Sequence, residues 1–278
     1  MTGTRELAVW ENVPVDRLRA RWRLPELRIL DETGSTNDVA RALADAGAPA
    51  GLLVMAEHQS LGRGRMGRQW SDSPGQSLLF SVLLRPAPSD GEAAPGTAPV
   101  RVGLAAAQAL RSVSDLDVRL KWPNDLVVPG HGKIAGILCE AATADGGTVV
   151  IAGIGINVAQ RATDWPPDLA GAATSFAIAA GSVPSRIALM DALCNTLHPL
   201  FTRPLRPLSP EELDDWNALD ALRDRTVRAS GPVNAAGTAR GIDPDGALIL
   251  ETADGVRRVV SGSVRATDTS TSTAPADP

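Results

Sequence analysis

The sequence predicts an α+β protein with two unequal parts. Three observations carry that expectation. Apolar runs at 51–56, 77–84 and 148–158 read as buried strands. Helical patterns lie between and after them, the clearest over 185–201, where Leu189, Leu193, Leu197 and Leu200 share one face. From Leu222 onward the character changes to short strands parted by the turns Asp243-Pro-Asp-Gly246 and Asp254-Gly255, as in a small β-barrel.

Taken in order, residues up to Leu24 are charged and punctuated by tryptophan, with a short helix expected over 14–22. The first strand is expected at 27–31. A helix follows with Val39, Leu43 and Ala46 on one face and Gly47 as its stop; Ser35 suits its N-cap, with Asp38 three residues on in a capping-box-like arrangement. After the strands at 51–56 and 77–84, the stretch 86–99 is rich in Pro, Ala and Gly and reads as a flexible surface insertion. An alanine-rich helix is expected over 100–113. The strand 118–122 is broken by Pro123, which cannot donate to a ladder, and Asn124 and Asp125 sit at that break. They serve either a ligand or an ordinary Pro-Asn-Asp turn.

Lys133 heads the next strand, 133–140, where a lone lysine wants an anionic partner. Asp145-Gly-Gly147 is a turn into the run at 148–158. Glycines at 136, 153 and 155 remove side chains where something approaches the sheet, and Asn157 at the end of the run needs hydrogen-bond partners. The chain is loop-like over 165–181. Ser209-Pro-Glu-Glu212 is a strong helix start, with Ser at N-cap, Pro at N1 and Glu at N3, for a helix ending near Asp220. Strands are then expected at 226–229, 237–242, 247–251 and 256–260. From Thr267 the Thr, Ser, Ala, Pro and Asp tail reads as disordered.

Composition narrows the function. The 278 residues carry a formal net charge of -5, unlike a general nucleic-acid binder, which is usually basic. Two distant cysteines, Cys139 and Cys194, and three scattered histidines give neither a disulfide framework nor a metal spacing. No apolar run reaches membrane-spanning length and no signal-peptide core opens the chain, so a cytoplasmic protein is expected.

Against that acidic background the loop Leu61-Gly-Arg-Gly-Arg-Met-Gly-Arg-Gln-Trp70 stands out. Glycines let successive N–H groups face one concavity, and arginines add planar charged forks suited to carboxylate or phosphate. The connection is far longer than a hairpin needs. It reads as an anion-gripping loop; a disordered RNA-binding segment or a merely solvated loop are the alternatives. The Gly-Lys-Ser/Thr ending of a phosphate loop is missing, as is the strand-to-helix context of a dinucleotide fingerprint. Ser35 and Thr36 likewise serve either as helix caps or as ligand contacts, and the two roles can coexist.

Five segments in order make the chain resemble the biotin–protein ligases (biotin–[acetyl-CoA-carboxylase] ligase). They are Gly34-Ser-Thr-Asn37, Gly62-Arg-Gly-Arg-Met-Gly-Arg-Gln-Trp70, Lys121-Trp-Pro-Asn-Asp125, Gly132-Lys-Ile-Ala-Gly-Ile-Leu138 and Gly153-Ile-Gly-Ile-Asn157. The resemblance implies a central mixed β-sheet with flanking helices, related to class II aminoacyl-tRNA synthetases, followed by an SH3-like β-barrel. It divides the chain into an N-terminal extension (1–26), a catalytic biotin- and ATP-binding domain (27–221), the SH3-like domain (222–266) and the tail (267–278).

The implied reaction joins biotin to ATP as biotinyl-5′-AMP and passes the biotinyl group to one lysine of a biotin carboxyl carrier domain. By motif, Ser35, Thr36, Asn37, Gln59, Arg63, Gly64, Arg65, Lys133 and Gly136 would bind biotin or its adenylate. Arg68, Trp70, Lys121, Asn124, Asp125 and Asn157 would serve ATP, and Lys133, Arg65 and Arg68 the chemistry. Mg²⁺ would sit mainly on the phosphates, helped by Asp125. Only about 30 residues precede the Ser-Thr motif, without room for a winged helix-turn-helix, so a monofunctional ligase that does not bind DNA, either monomer or homodimer, is expected. A lipoate or octanoyl ligase or transferase of the same fold, and a non-catalytic biotin sensor, are the rival readings.

Overall fold

The computed structural model describes residues 5–87, 94–144 and 147–267. The chain enters through a hairpin, β1 (Val9–Trp10) and β2 (Val13–Pro14), and a helix, α1 (Val15–Arg21). This segment is no loose extension. Trp10, Leu18, Trp22 and Leu24 are buried in the main core, the two indoles meet edge to face at 6.1 Å, and residues 5–7 pair with the first long strand.

Seven strands form the central sheet. They are β3 (Leu27–Thr33), β4 (Leu53–Gln59), β5 (Ser77–Leu84), β6 (Arg119–Lys121), β7 (Asp125–Val128), β8 (Gly132–Ala144) and β9 (Gly147–Asn157). Their spatial order is β3-β4-β5-β9-β8-β7-β6. Only β3 and β4 run parallel, because helix α2 (Thr36–Asp45) crosses between them. Every other neighbour is antiparallel.

Period-two alternation gives each strand two faces. On β9, Val150, Ala152, Ile154 and Ile156 point into the main core, which α3 (Thr97–Ser112) and α5 (Arg186–Leu197) also build. The opposite face carries Val149 and Ile151, packed with Ala40 and Ala44 of α2 in a smaller second core. Short α4 (Phe176–Ala179) and then α6 (Pro210–Leu219) complete the helices. Five antiparallel strands follow: β10 (Thr226–Ser230), β11 (Ala235–Ile242), β12 (Leu248–Thr252), β13 (Gly255–Val259) and β14 (Ser263–Ala266). Among the described residues no helix is long and apolar enough to cross a membrane.

The expected elements recur with shifted ends and several corrections: α4 lies within the stretch expected to be loop-like over 165–181, and the β1–β2 hairpin and β7 are strands the sequence reading did not include. Thr97–Pro99 are not insertion but the first turn of α3, and Ala94 is buried with its N–H donating to Leu205 O; 88–93 of that stretch lie outside the described residues, as do 145–146 of the expected turn and 268–278 of the tail. A fifth C-terminal strand, β14, was not anticipated. At α2 the Ser35 hydroxyl makes no capping bond, and the Asp38 carboxylate, expected to reach back to the helix start, pairs with Arg63 instead. At α6 the capping box is complete: Ser209 Oγ accepts from the Glu212 N–H at 3.2 Å and Glu212 accepts from the Ser209 N–H at 2.9 Å.

Candidate active site

The second face of the sheet is open beyond α2, and a cavity of about 450 Å³ lies there. Its floor is the continuation of the β9 alternation: after Val149 and Ile151 come Gly153, Gly155 and Asn157. The Trp70 indole lies directly on this floor. A Cβ at Gly155 would stand 2.6 Å from the indole, and one at Gly136 would stand 3.0 Å from it and 2.9 Å from Lys133 Nζ. Glycine is therefore required at both positions for the ring and the ammonium to reach the sheet.

The arginine-glycine loop folds back on itself. Trp70 N–H donates to Gly62 O at 2.9 Å and Gly64 N–H to Arg68 O at 2.7 Å, with a tight turn at Arg65–Gly67. Met66 and Gly67 take positive φ (59° and 71°) to make that turn. Arg63 forks onto Asp38 of α2, with N–O distances of 2.7 and 2.5 Å. Arg65 reaches across the cavity to Gly262 O at 3.3 Å. Burial, reinforced by the neighbouring Arg68, lowers the Arg65 pKa, and Asp125 opposes this. The guanidinium remains charged, so this site is under-compensated and suited to an anion.

Charge is concentrated at the β7–β6 end of the sheet. Lys121, Lys133, Arg65, Arg68 and Arg265 line the cavity with Asp125 as the carboxylate among its lining residues; Arg63, also in the lining, is paired with Asp38. Lys133 finds the partner its position demanded: Asp125 Oδ1 lies 2.5 Å from Nζ, and the Trp70 ring lies 5.5 Å away. The β4–β5 end is polar without net charge. Thr36 N–H and Oγ1 both donate to Gln59 Oε1, at 2.7 and 3.0 Å. A main-chain N–H can only donate, so the amide oxygen faces Thr36 and the Gln59 NH₂ is left for the cavity. Ser35 is buried in the same wall.

All fifteen residues expected from the sequence line this one cavity, but not all offer it a free group. Asn37 donates to Glu140 Oε2 at 2.6 Å and pins α2 to β8. Asn124 donates to Ile137 O at 2.7 Å and clamps β7 to β8. Asn157 donates to Thr174 O and Lys133 O, while its buried Oδ1 and the Trp70 Nε1 have no protein partner. With Trp165 Nε1 there are three such orphans on residues lining one cavity, and a polar ligand can satisfy groups of this kind. Sequence reasoning missed the fourth wall, Gly262–Arg265 from the C-terminal sheet, and Trp165, Leu169 and Ala172 from the connection after β9. An indole beside Pro166 and Pro167 was the one available signal.

Among the described residues no three His, Cys, Asp or Glu groups converge as a metal site; Asp125, expected to help a Mg²⁺ held mainly by phosphates, is paired with Lys133. Nor is there a reactive thiol, since burial pushes Cys139 and Cys194 up to about 12.

Residues 30–157 match the profile of the biotin/lipoate A/B protein ligase family, and 226–264 that of the biotin protein ligase C-terminal domain. The biotin–[acetyl-CoA-carboxylase] ligase of Mycobacterium tuberculosis is 34% identical over 236 residues, 83% of this chain and 84% of that protein. The chain belongs to the biotin–protein ligase family. It is thus an enzyme, a ligase. The Paracoccus denitrificans biotin–[acetyl-CoA-carboxylase] ligase is 31% identical and is covered over 92% of its length by 80% of this chain. Among solved structures, the Aquifex aeolicus biotin protein ligase in complex with biotin and ATP aligns with a TM-score of 0.71 at 25% identity, over 88% of this chain and all of that one. The first profile alone covers biotin and lipoate enzymes alike. The second, on the strands that supply the fourth wall, separates this biotin–protein ligase from the lipoate rival.

Proposed function

We propose that this ligase condenses biotin with Mg·ATP to biotinyl-5′-AMP and pyrophosphate, then transfers the biotinyl group to one lysine of the biotin carboxyl carrier domain of acetyl-CoA carboxylase or a related carboxylase. The observation that carries the reading is the polarity of the cavity: a neutral hydrogen-bonding end at Ser35, Thr36 and Gln59, and a cationic end around Lys133 and Lys121. Biotin has the same layout, a neutral ureido ring and a carboxylate. The free NH₂ of Gln59 donates to the ureido oxygen and Ser35 completes the pair. The carboxylate then reaches Lys133.

In the first step a carboxylate oxygen attacks the α-phosphorus, an anhydride bond forms, and the bond to the departing pyrophosphate breaks. Two anions must approach, and Lys133, Arg65 and Arg68 offset their repulsion at the site where charge develops. Mg²⁺ enters on the nucleotide as part of that substrate. Trp70 and the folded loop exclude water from the hydrolysable anhydride. In the second step the neutral lysine amine attacks the acyl carbon, an amide bond forms as the nitrogen gives up a proton to solvent, and the bond to AMP breaks. The enzyme works in the cytoplasm, as a monomer or homodimer.

Incubation with biotin, Mg·ATP and apo carrier domain tests this. The carrier is expected to gain one biotinyl mass. A gain with lipoate or octanoate instead of biotin overturns the reading, and so does no gain.

A further inference from the structure

Two residues at the foot of the arginine-glycine loop take no part in the chemistry above and do not line the cavity. Asp72 is a carboxylate with a side chain only 1% exposed, and His58 beside it is 31% exposed. Asp72 Oδ2 accepts from the Gln59 main-chain N–H at 3.3 Å and lies 3.1 Å from His58 Nδ1. Burying a carboxylate is costly unless donors converge on it, and here they converge from the end of β4. One oxygen therefore ties together the two feet of the loop, thirteen residues apart. On the other side of the same foot, Ser60 N–H donates to Thr33 O and Leu61 N–H to Gly34 O.

We propose that Asp72 is a positioning residue for biotin: it anchors the Gln59 main chain, and through it the amide that recognises the ureido ring. The proposal rests on the biotin reading given above. Gln59 is held at two points, its side-chain oxygen by Thr36 and its N–H by Asp72. With both in place its NH₂ has one direction to point. Without Asp72 the side-chain bonds and the β3 pairing on the other edge remain, but the Gln59 N–H loses its acceptor and the end of β4 its tie to the far foot of the loop. The phosphate end has supports of its own outside the loop, Arg65 on Gly262 O and the Trp70 ring on the Gly155 floor, and these hold it against a shift there. A carboxylate suits the task because its oxygen can accept from two donors at once, and it does so more strongly than a neutral acceptor.

The test is steady-state pyrophosphate release by the full chain with apo carrier domain in excess, so that each adenylate is discharged, and with biotin and Mg·ATP varied separately. Asp72→Ala is expected to raise KM for biotin about tenfold, the size of one charge-assisted hydrogen bond, with kcat and KM for ATP within about twofold. Asp72→Asn, which keeps an oxygen for the Gln59 N–H, is expected to restore most of the biotin KM. His58→Gln is expected to leave it within about twofold of the original, which separates action through Gln59 from action through the His58 pair. Asp72→Ser stands in if the alanine variant fails to fold. An unchanged biotin KM overturns the inference. So does a parallel loss in biotin KM, ATP KM and kcat, which would mark a merely structural acid. Absence of biotin-dependent turnover in the unsubstituted enzyme overturns the ligase reading itself, and the inference with it.

Discussion

One face of the central sheet is used in two opposite ways. Beneath α2, Val149 and Ile151 of β9 make a closed apolar layer with Leu30 of β3 and Val54 of β4. A few residues along the same strand, on the same face, Gly153 and Gly155 present no side chain, and Trp70 and Asn37 move into the space. The backbone pairing is unbroken throughout, from Ala144↔Gly147 to Ala135↔Ile156. The strand thus keeps its geometry while its sequence changes from filling to vacating. Stability and chemistry are assigned to different stretches of one ladder.

Substitutions at either end sharpen that contrast. The largest expected effect is Lys133→Ala, which removes the charge facing Asp125. Pyrophosphate release with biotin and ATP should fall about 10²–10³-fold, as when one preorganised electrostatic group is removed, while the melting temperature stays near its starting value. Near-normal release would break the assignment. Next, Gly155→Ala and Ile151→Ala should behave as opposites. The new Cβ at 155 meets the indole at 2.6 Å, so Trp70 must leave the floor and activity should fall about tenfold or more. Deleting buried Ile151 should destabilise the fold by about 2–5 kcal/mol, read by denaturant unfolding, with kcat/KM nearly intact. Equal losses of activity in the two variants would dissolve the distinction.

The smallest effect concerns pH. The Arg63 hydrogen bonds hold Asp38 below the ordinary aspartate value of 3.8. A lowered folded pKa means that the tether contributes above the unfolded value and is lost as pH falls through the folded one. Because the Asp38 side chain is 60% exposed, the contribution is at most about 1 kcal/mol. An NMR titration of the Asp38 carboxyl should give a midpoint below 3.8, moving up in Arg63→Ala. A midpoint unaffected by that substitution would remove Asp38 as an anchor of the loop.

What the sequence made legible divides along the same line. β5 was readable to the residue because Ser77–Leu84 is a largely apolar run, Leu-Leu-Phe and Val-Leu-Leu parted by one serine, between polar segments. The α6 start was readable because its cap is local, three residues from donor to acceptor. The site residues converged because each motif sits at a strand end or in the loop between strands. Long-range partners were not readable. Nothing local says that Trp10 donates to Glu57, that Asp38 prefers Arg63 to its own helix end, or that Ser263–Ala266 is a strand completing a cavity wall. Those choices are decided by chain segments far away in sequence.

The bridge from Arg65 to Gly262 has an engineering consequence. The floor and the loop come from residues before Asp220, the remaining wall from residues after Thr226. A cut in the intervening linker would divide the enzyme into two halves, neither holding a whole chamber. Fused to two interacting proteins, such halves would make a reporter whose signal requires their encounter.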